Sequence, residues 1–256
     1  MPTVTYLSDI HLEFYKRTIP YGIDLKGGDI LCLAGDIGYP ESDIYFTFLS
    51  YCSPLFKYIF IIAGNHEYYK TATHPHKTIQ STNERIIEAC NHYHNVHFLS
   101  DSSFHIPEYN LNVIGTTLWT GGEPDLDDMY QYNDFRKING MGMPGHMERL
   151  HEMSLLFLKD TLQKYKHNNS TVLVLTHHLP SFQLIAPQYK DRKYFYFDKK
   201  FSVELFGGTS DQVNEDSEIN ADDQLNNLTF WDGRGGGGQT LIKVVDIGGG
   251  NMLCIL

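Results

Sequence analysis

Ile59-Phe60-Ile61-Ile62-Ala63-Gly64-Asn65-His66-Glu67 sets a wholly apolar run against a glycine and a polar cluster. Such a run, short and rich in β-branched residues, reads as a strand buried on both faces, which ends where the glycine lets the chain turn. Working outward, the same grammar recurs. Thr3 to Leu7 leads to Asp9-Ile10-His11, Ile30 to Ala34 leads to Gly35-Asp36, and Val172 to Leu175 leads to Thr176-His177-His178. Loops that leave strand ends in a helix-wound sheet converge in one crevice. Two aspartates, an asparagine and several imidazoles are therefore expected together, although the sequence scatters them widely. That mixture of oxygen and nitrogen donors suits a pair of divalent metal ions.

Taken singly, each motif is weak. Asp9 and His11 point the same way if the chain is extended there. Asp36 after a glycine also reads as a turn or capping residue, and Asn65 as a turn residue. His177 and His178 end a strongly apolar strand, where adjacent imidazoles have no packing rationale. The shared order and strand-end position give the set its meaning.

Around these strands the pattern alternates. Ser42 is placed to cap a helix through about Tyr51, Thr78 to Tyr93 has near-helical apolar spacing, and Val96 to Leu99 and Asn112 to Gly115 read as further strands. Gly121 to Pro144 reads as a long loop. Met147 to Tyr165 reads as a helix with Leu150, Met153, Leu156, Phe157 and Leu162 near one stripe. Leu241 to Asp246 and Met252 to Leu256 read as final strands. Strands alternating with helices give an α/β fold, with a sheet core flanked by helices. With too few residues after the acidic stretch for a second core, the expectation is one domain over 1–256, atypical and Gly-rich from about 207.

The chain has 256 residues, 41% of them hydrophobic, and a formal net charge of −11. That is enough apolar material for a sizeable core, and the charge disfavours non-specific binding to nucleic acid or to an anionic membrane. No apolar run approaches the roughly 20 residues that span a bilayer. Cys32, Cys52, Cys90 and Cys254 lack paired spacing and read as buried thiols, so with no leader-like opening the expected location is cytoplasmic. His74, His76, His92, His94 and His97 read as solvated surface residues. The glycine run 235–238 lacks the lysine of a phosphate-cradling loop.

The ordered elements D-x-H, G-D, G-N-H-E and His177-His178-Leu179-Pro180 resemble the calcineurin-like metallophosphoesterases. Gly115-Thr116-Thr117-Leu118-Trp119 and Asn133-Asp134-Phe135-Arg136 resemble segments of bacterial-type members, and the likeness runs over about residues 1 to 185. The resemblance implies the sandwich fold of that family and hydrolysis of a phosphomonoester or phosphodiester by a hydroxide bridging two metals (Mn, Fe or Zn). It implies that Asp9, His11 and Asp36 hold one ion, and that Asp36, Asn65 and His177 hold the other. His66 becomes the general acid, with Glu67 orienting it. His178 and Arg136 become candidates for the substrate phosphate, although His177 and His178 can exchange roles and Arg136 can equally be a surface residue of its loop.

The family's closing G-H-x-H element is missing, because no histidine follows His178. In Leu228 to Gly236, Arg234 stands where an imidazole is expected; Asp232, Asp246 or Arg234 are possible substitutes, and a surface turn is the plainer reading. The alternative function is therefore a weakly active or inactive member that keeps the fold as a binding or scaffold protein.

Overall fold

A computed structural model describes residues 2–15, 23, 25–121, 132–166, 171–178, 242–246 and 251–255. The first sheet contains β1 (Val4–Leu7), β2 (Gly28–Ala34), β3 (Phe56–Ile62) and β4 (Val96–Phe98), in that order and all parallel. The second contains β5 (Ser102–Ile106), β6 (Leu111–Thr116), β7 (Thr171–Thr176), β8 (Ile242–Asp246) and β9 (Asn251–Ile255), ordered β5-β6-β7-β9-β8. There β6, β7 and β9 run parallel, and β5 and β8 close the edges antiparallel.

Alternation along each strand explains why both sheets form. In β2, Ile30, Cys32 and Ala34 join Phe60 and Ile62 of β3 in a cluster with Val113, Leu173 and Leu175 of the second sheet. The intervening Leu31, Leu33, Ile59 and Ile61 pack instead with Phe48 and Leu49 of α1 (Asp43–Cys52) and Ile86 and Ala89 of α2 (Ile79–Cys90). On the far side, Ile114, Val172 and Val174 pack against Leu155 and Leu158 of a long helix, His146–Lys166. The result is a four-layer helix–sheet–sheet–helix sandwich. Strands so enclosed must be apolar on both faces, which is why they read as unbroken runs.

Several expectations change in detail. The long loop contains a short helix, α3 (Asn133–Lys137), which makes the His146–Lys166 helix α4. The stripe on α4 is rotated from the expected one: Met153 and Leu156 are each 61% exposed, while His151, Ser154 and Thr161 are buried with Leu155 and Leu158. Ser42 precedes α1 but donates its hydroxyl to the Tyr39 carbonyl, whereas Thr78 and Ser81 form a reciprocal capping box on α2. His97 is half-buried between Phe60 and Phe104 rather than solvated, and burial lowers its pKa. Cys32, Cys52 and Cys90 are buried free thiols. Among the described residues, no helix is long and apolar enough to cross a membrane. Asp232, Arg234 and the glycine run lie outside the described residues.

Phe60 lies at the centre of the inter-sheet layer and is fully buried. Phe60→Ala is expected to cost about 3–5 kcal/mol in chemical denaturation. A loss below about 1 kcal/mol would contradict this packing.

Candidate metal centre

The site forms where the C-terminal ends of β1, β2 and β3 meet that of β7 in the other sheet. The pairing of β1 with β2 continues past both strands, as Asp9, His11 and Leu12 donate their N–H groups to the carbonyls of Gly35, Asp36 and Ile37. The convergence of Asp9 and His11 therefore does not come from extended geometry, as the sequence spacing implied. Asp9, His11 and Asp36 all adopt left-handed backbone, with φ of 54°, 51° and 52°. Non-glycine residues hold that conformation at a cost, and it collects at functional sites.

The donors fall into two sets that share Asp36. His11 Nε2 lies 3.9 Å from Asp9 Oδ1 and 3.8 Å from Asp36 Oδ2. On the other side, His177 Nε2 lies 3.4 Å from Asp36 Oδ1 and 3.2 Å from Asn65 Oδ1. Donor atoms on one ion, each bonded at about 2.0–2.2 Å, sit roughly 3–3.5 Å apart. The second set already has that spacing, and the first is slightly wider. The His177 Nδ1–H donates to the Ala34 carbonyl at 3.0 Å, which leaves the Nε2 lone pair facing the cluster. Gly35 and Gly64 make room for this: a β-carbon on either would collide with His177, and on Gly64 with Asp36 as well. Among the described residues the imidazoles of His11 and His177 face the Asp9 and Asp36 carboxylates. The donor set fits divalent metals.

Residues 2–210 match the calcineurin-like phosphoesterase family. The chain belongs to that family. It is 26% identical over 202 residues to the uncharacterized protein L509 of Acanthamoeba polyphaga mimivirus, covering 71% of this chain and 69% of that one. Its fold is like that of a phosphopantetheinyl hydrolase from Mycobacterium tuberculosis, with a TM-score of 0.55 and 14% identity over 79% of this chain and 77% of that one.

In this calcineurin-like phosphoesterase, Glu67 has a different task from the one expected. Its carboxylate does not bond His66. Oε1 accepts the N–H groups of Ile37 (2.7 Å) and Gly38 (3.4 Å), and Oε2 accepts those of Gly64 (2.9 Å) and Asp36 (3.1 Å). Glu67 thus clamps the loops after β2 and β3 together. Burial and the Asp36 charge push its pKa up to about 7, yet four N–H groups address its two oxygens, an arrangement built for the carboxylate.

The partner of His66 is Glu13, which the sequence reading missed. Glu13 Oε1 lies 3.0 Å from His11 Nδ1 and 3.1 Å from His66 Nδ1. Burial alone would raise the Glu13 pKa, but the hydrogen bonds from His11 and His66 hold it at about 2. For His11, burial pulls the pKa down, and the Glu13 hydrogen bond with the charges of Asp36, Glu13 and Asp9 outweighs it, so the net shift is upward. Tyr69 was also missed, and Asp134 stood in a segment that resembles the family without a role of its own. Asp134 Oδ1 accepts from Asn65 Nδ2 (2.7 Å) and from the Tyr69 hydroxyl (2.5 Å), which turns the Asn65 amide oxygen toward His177. Asp134 lies 69 positions from Asn65, so local sequence carries no signal of the pairing.

His178 lies beside the cluster, its ring against Trp119 and His177 and its Nδ1 on the Thr117 carbonyl at 3.2 Å. Burial and the neighbouring His177 press its pKa down to about 4. Arg136 is exposed on α3, and its guanidinium donates to Asn133 at 2.8 Å; no described contact joins it to the cluster.

Glu67→Gln would turn an NH2 group toward backbone donors on one side of the clamp. The expected cost is about 1–3 kcal/mol, read by denaturation, together with weaker Mn²⁺ binding because the Asp36 loop loses its anchor. Unchanged stability and unchanged Mn²⁺ affinity would contradict the clamp.

Proposed function

We propose that this chain is an active metal-dependent phosphoesterase that hydrolyses a phosphomonoester or phosphodiester at a dinuclear centre. Asp9, His11 and Asp36 would hold one ion, and Asp36, Asn65 and His177 the other, with Mn, Fe or Zn compatible with such mixed donors. The observation that carries this reading is the division of the Asp36 carboxylate, one oxygen toward His11 and the other toward His177. When bound, paired divalent ions neutralise phosphate charge and make water acidic near neutral pH.

The chain's own residues supply the rest. Cleavage of the P–O bond leaves an oxyanion that needs a proton. The His66 backbone N–H is fixed on Asp36 Oδ1 at 2.9 Å, and its ring packs between those of His11 and Tyr69. With Nδ1 held by Glu13, Nε2 is the atom left to deliver that proton. Of the two candidates for a phosphate oxygen, His178 packs its ring against that of His177, whereas Arg136 is exposed on α3 and donates to Asn133. The buried thiols suit a reducing cytoplasmic location, and the single sandwich suits one domain over 1–256.

The test is Mn²⁺-dependent hydrolysis of an aryl phosphodiester and an aryl monoester by the wild type and Asp36→Asn. Losing a second-shell partner costs about 10–100-fold, so losing the shared carboxylate should cost at least about 100-fold in turnover, with the fold retained by circular dichroism. Equal activity in both proteins would overturn the assignment. A folded wild type with no turnover on either ester, at any metal tried, would favour a binding protein that keeps the fold without the chemistry.

A further inference from the structure

We propose that Glu13 is a positioning residue whose single oxygen Oε1 fixes the ring orientation and tautomer of both His11 and His66, coupling metal binding to proton delivery. The role rests on the assignment of His11 as a ligand and His66 as the proton donor.

The geometry begins with the turn after β1. Leu12 is fully buried and its N–H bonds the Ile37 carbonyl, which anchors the short 3₁₀ turn Leu12–Phe14. That anchoring turns Glu13 inward, its side chain only 5% exposed, while Phe14 on the same turn faces outward. The rings of His11 and His66 meet edge to face with centroids 4.5 Å apart, and Glu13 Oε1 reaches the Nδ1 of each. A carboxylate only accepts, so both Nδ1 atoms must carry hydrogen. Each Nε2 is thereby left for chemistry: that of His11 faces Asp9 and Asp36, and that of His66 is the atom that takes up a proton to form the imidazolium and then passes it to the leaving oxygen.

One oxygen serving two rings has a consequence that separate partners would not. Displacing Glu13 releases both histidines at once, so metal affinity and acid catalysis should fall together. Glu13 Oε2 is buried and has no hydrogen-bond partner among the described residues, whereas Oε1 meets both rings. Glutamine can keep that accepting oxygen, and alanine cannot.

Long-range ¹H–¹⁵N NMR of the metal-free wild type in alkaline buffer reads the tautomers directly. Nδ1–H is expected on both His11 and His66, and Nε2–H on either would overturn the proposal. Calorimetric titration with Mn²⁺ alone should show roughly 10–100-fold weaker binding for Glu13→Ala, with Glu13→Gln close to the wild type. Turnover of phenyl and 4-nitrophenyl phosphate esters supplies a readout that general loosening would not move. Proton donation matters more for the poorer leaving group, so Glu13→Ala should lose about tenfold more on the phenyl ester. Equal losses on both esters, or unchanged Mn²⁺ affinity, would overturn the proposal. If the wild type hydrolyses neither ester, the functional reading fails, and the tautomers and Mn²⁺ affinity still decide the part played by Glu13. If Glu13→Ala does not fold, the wild-type tautomers decide it: Nδ1–H on both rings sustains the proposal.

Discussion

A buried carboxylate saturated by backbone N–H groups from two different loops is the constraint on which this site depends. Glu67 binds the amides of Asp36, Ile37 and Gly38 from one strand end and that of Gly64 from the next. Those loops carry Asp36 and Asn65, so the clamp sets the spacing between donors of different strands. It also feeds the strain seen nearby. Asp36 is held at positive φ because its N–H is committed to Glu67 while its carbonyl accepts from His11. Strain of this kind persists only where surrounding bonds over-determine it.

A second layer of carboxylates then sets the side chains. Glu13 addresses His11 and His66, Asp134 addresses Asn65, and the Ala34 carbonyl addresses His177. Each proposed nitrogen or amide donor has its non-ligating side held by an acceptor, the arrangement that orients ligands in metal sites. This layering concentrates negative charge in a poorly exposed place. Uncompensated, such a cluster would be costly, and divalent cations are the natural complement. The centre also straddles two sheets, so its integrity depends on the inter-sheet layer around Phe60, Leu173 and Leu175.

The strands that carry the site were legible because burial on both faces forces unbroken apolar runs, and Asp9, His11, Asp36, Asn65 and His177 followed from where those runs stop. Elements with a mixed face were not legible. β5 was missed because Ser102, Ser103 and His105 dilute its pattern, and α3 because five residues are too few to show a period. The stripe on α4 was misjudged because buried His151, Ser154 and Thr161 occupy positions that apolar residues fill in simpler helices. The positioning carboxylates were the largest omission. Glu13 looks like a surface residue in sequence, and its contact with His66 spans 53 positions. The one available hint was its place two residues after His11, where the turn that buries Leu12 also aims Glu13 inward.

A carboxylate shared between two ions, as proposed for Asp36, has a magnetic consequence. Electron paramagnetic resonance of the protein titrated with Mn²⁺ tests it most directly. Two Mn²⁺ are expected to bind per chain and to give an exchange-coupled spectrum, because a shared carboxylate brings the ions close. A single Mn²⁺ per chain, or two that give isolated six-line signals, would contradict it.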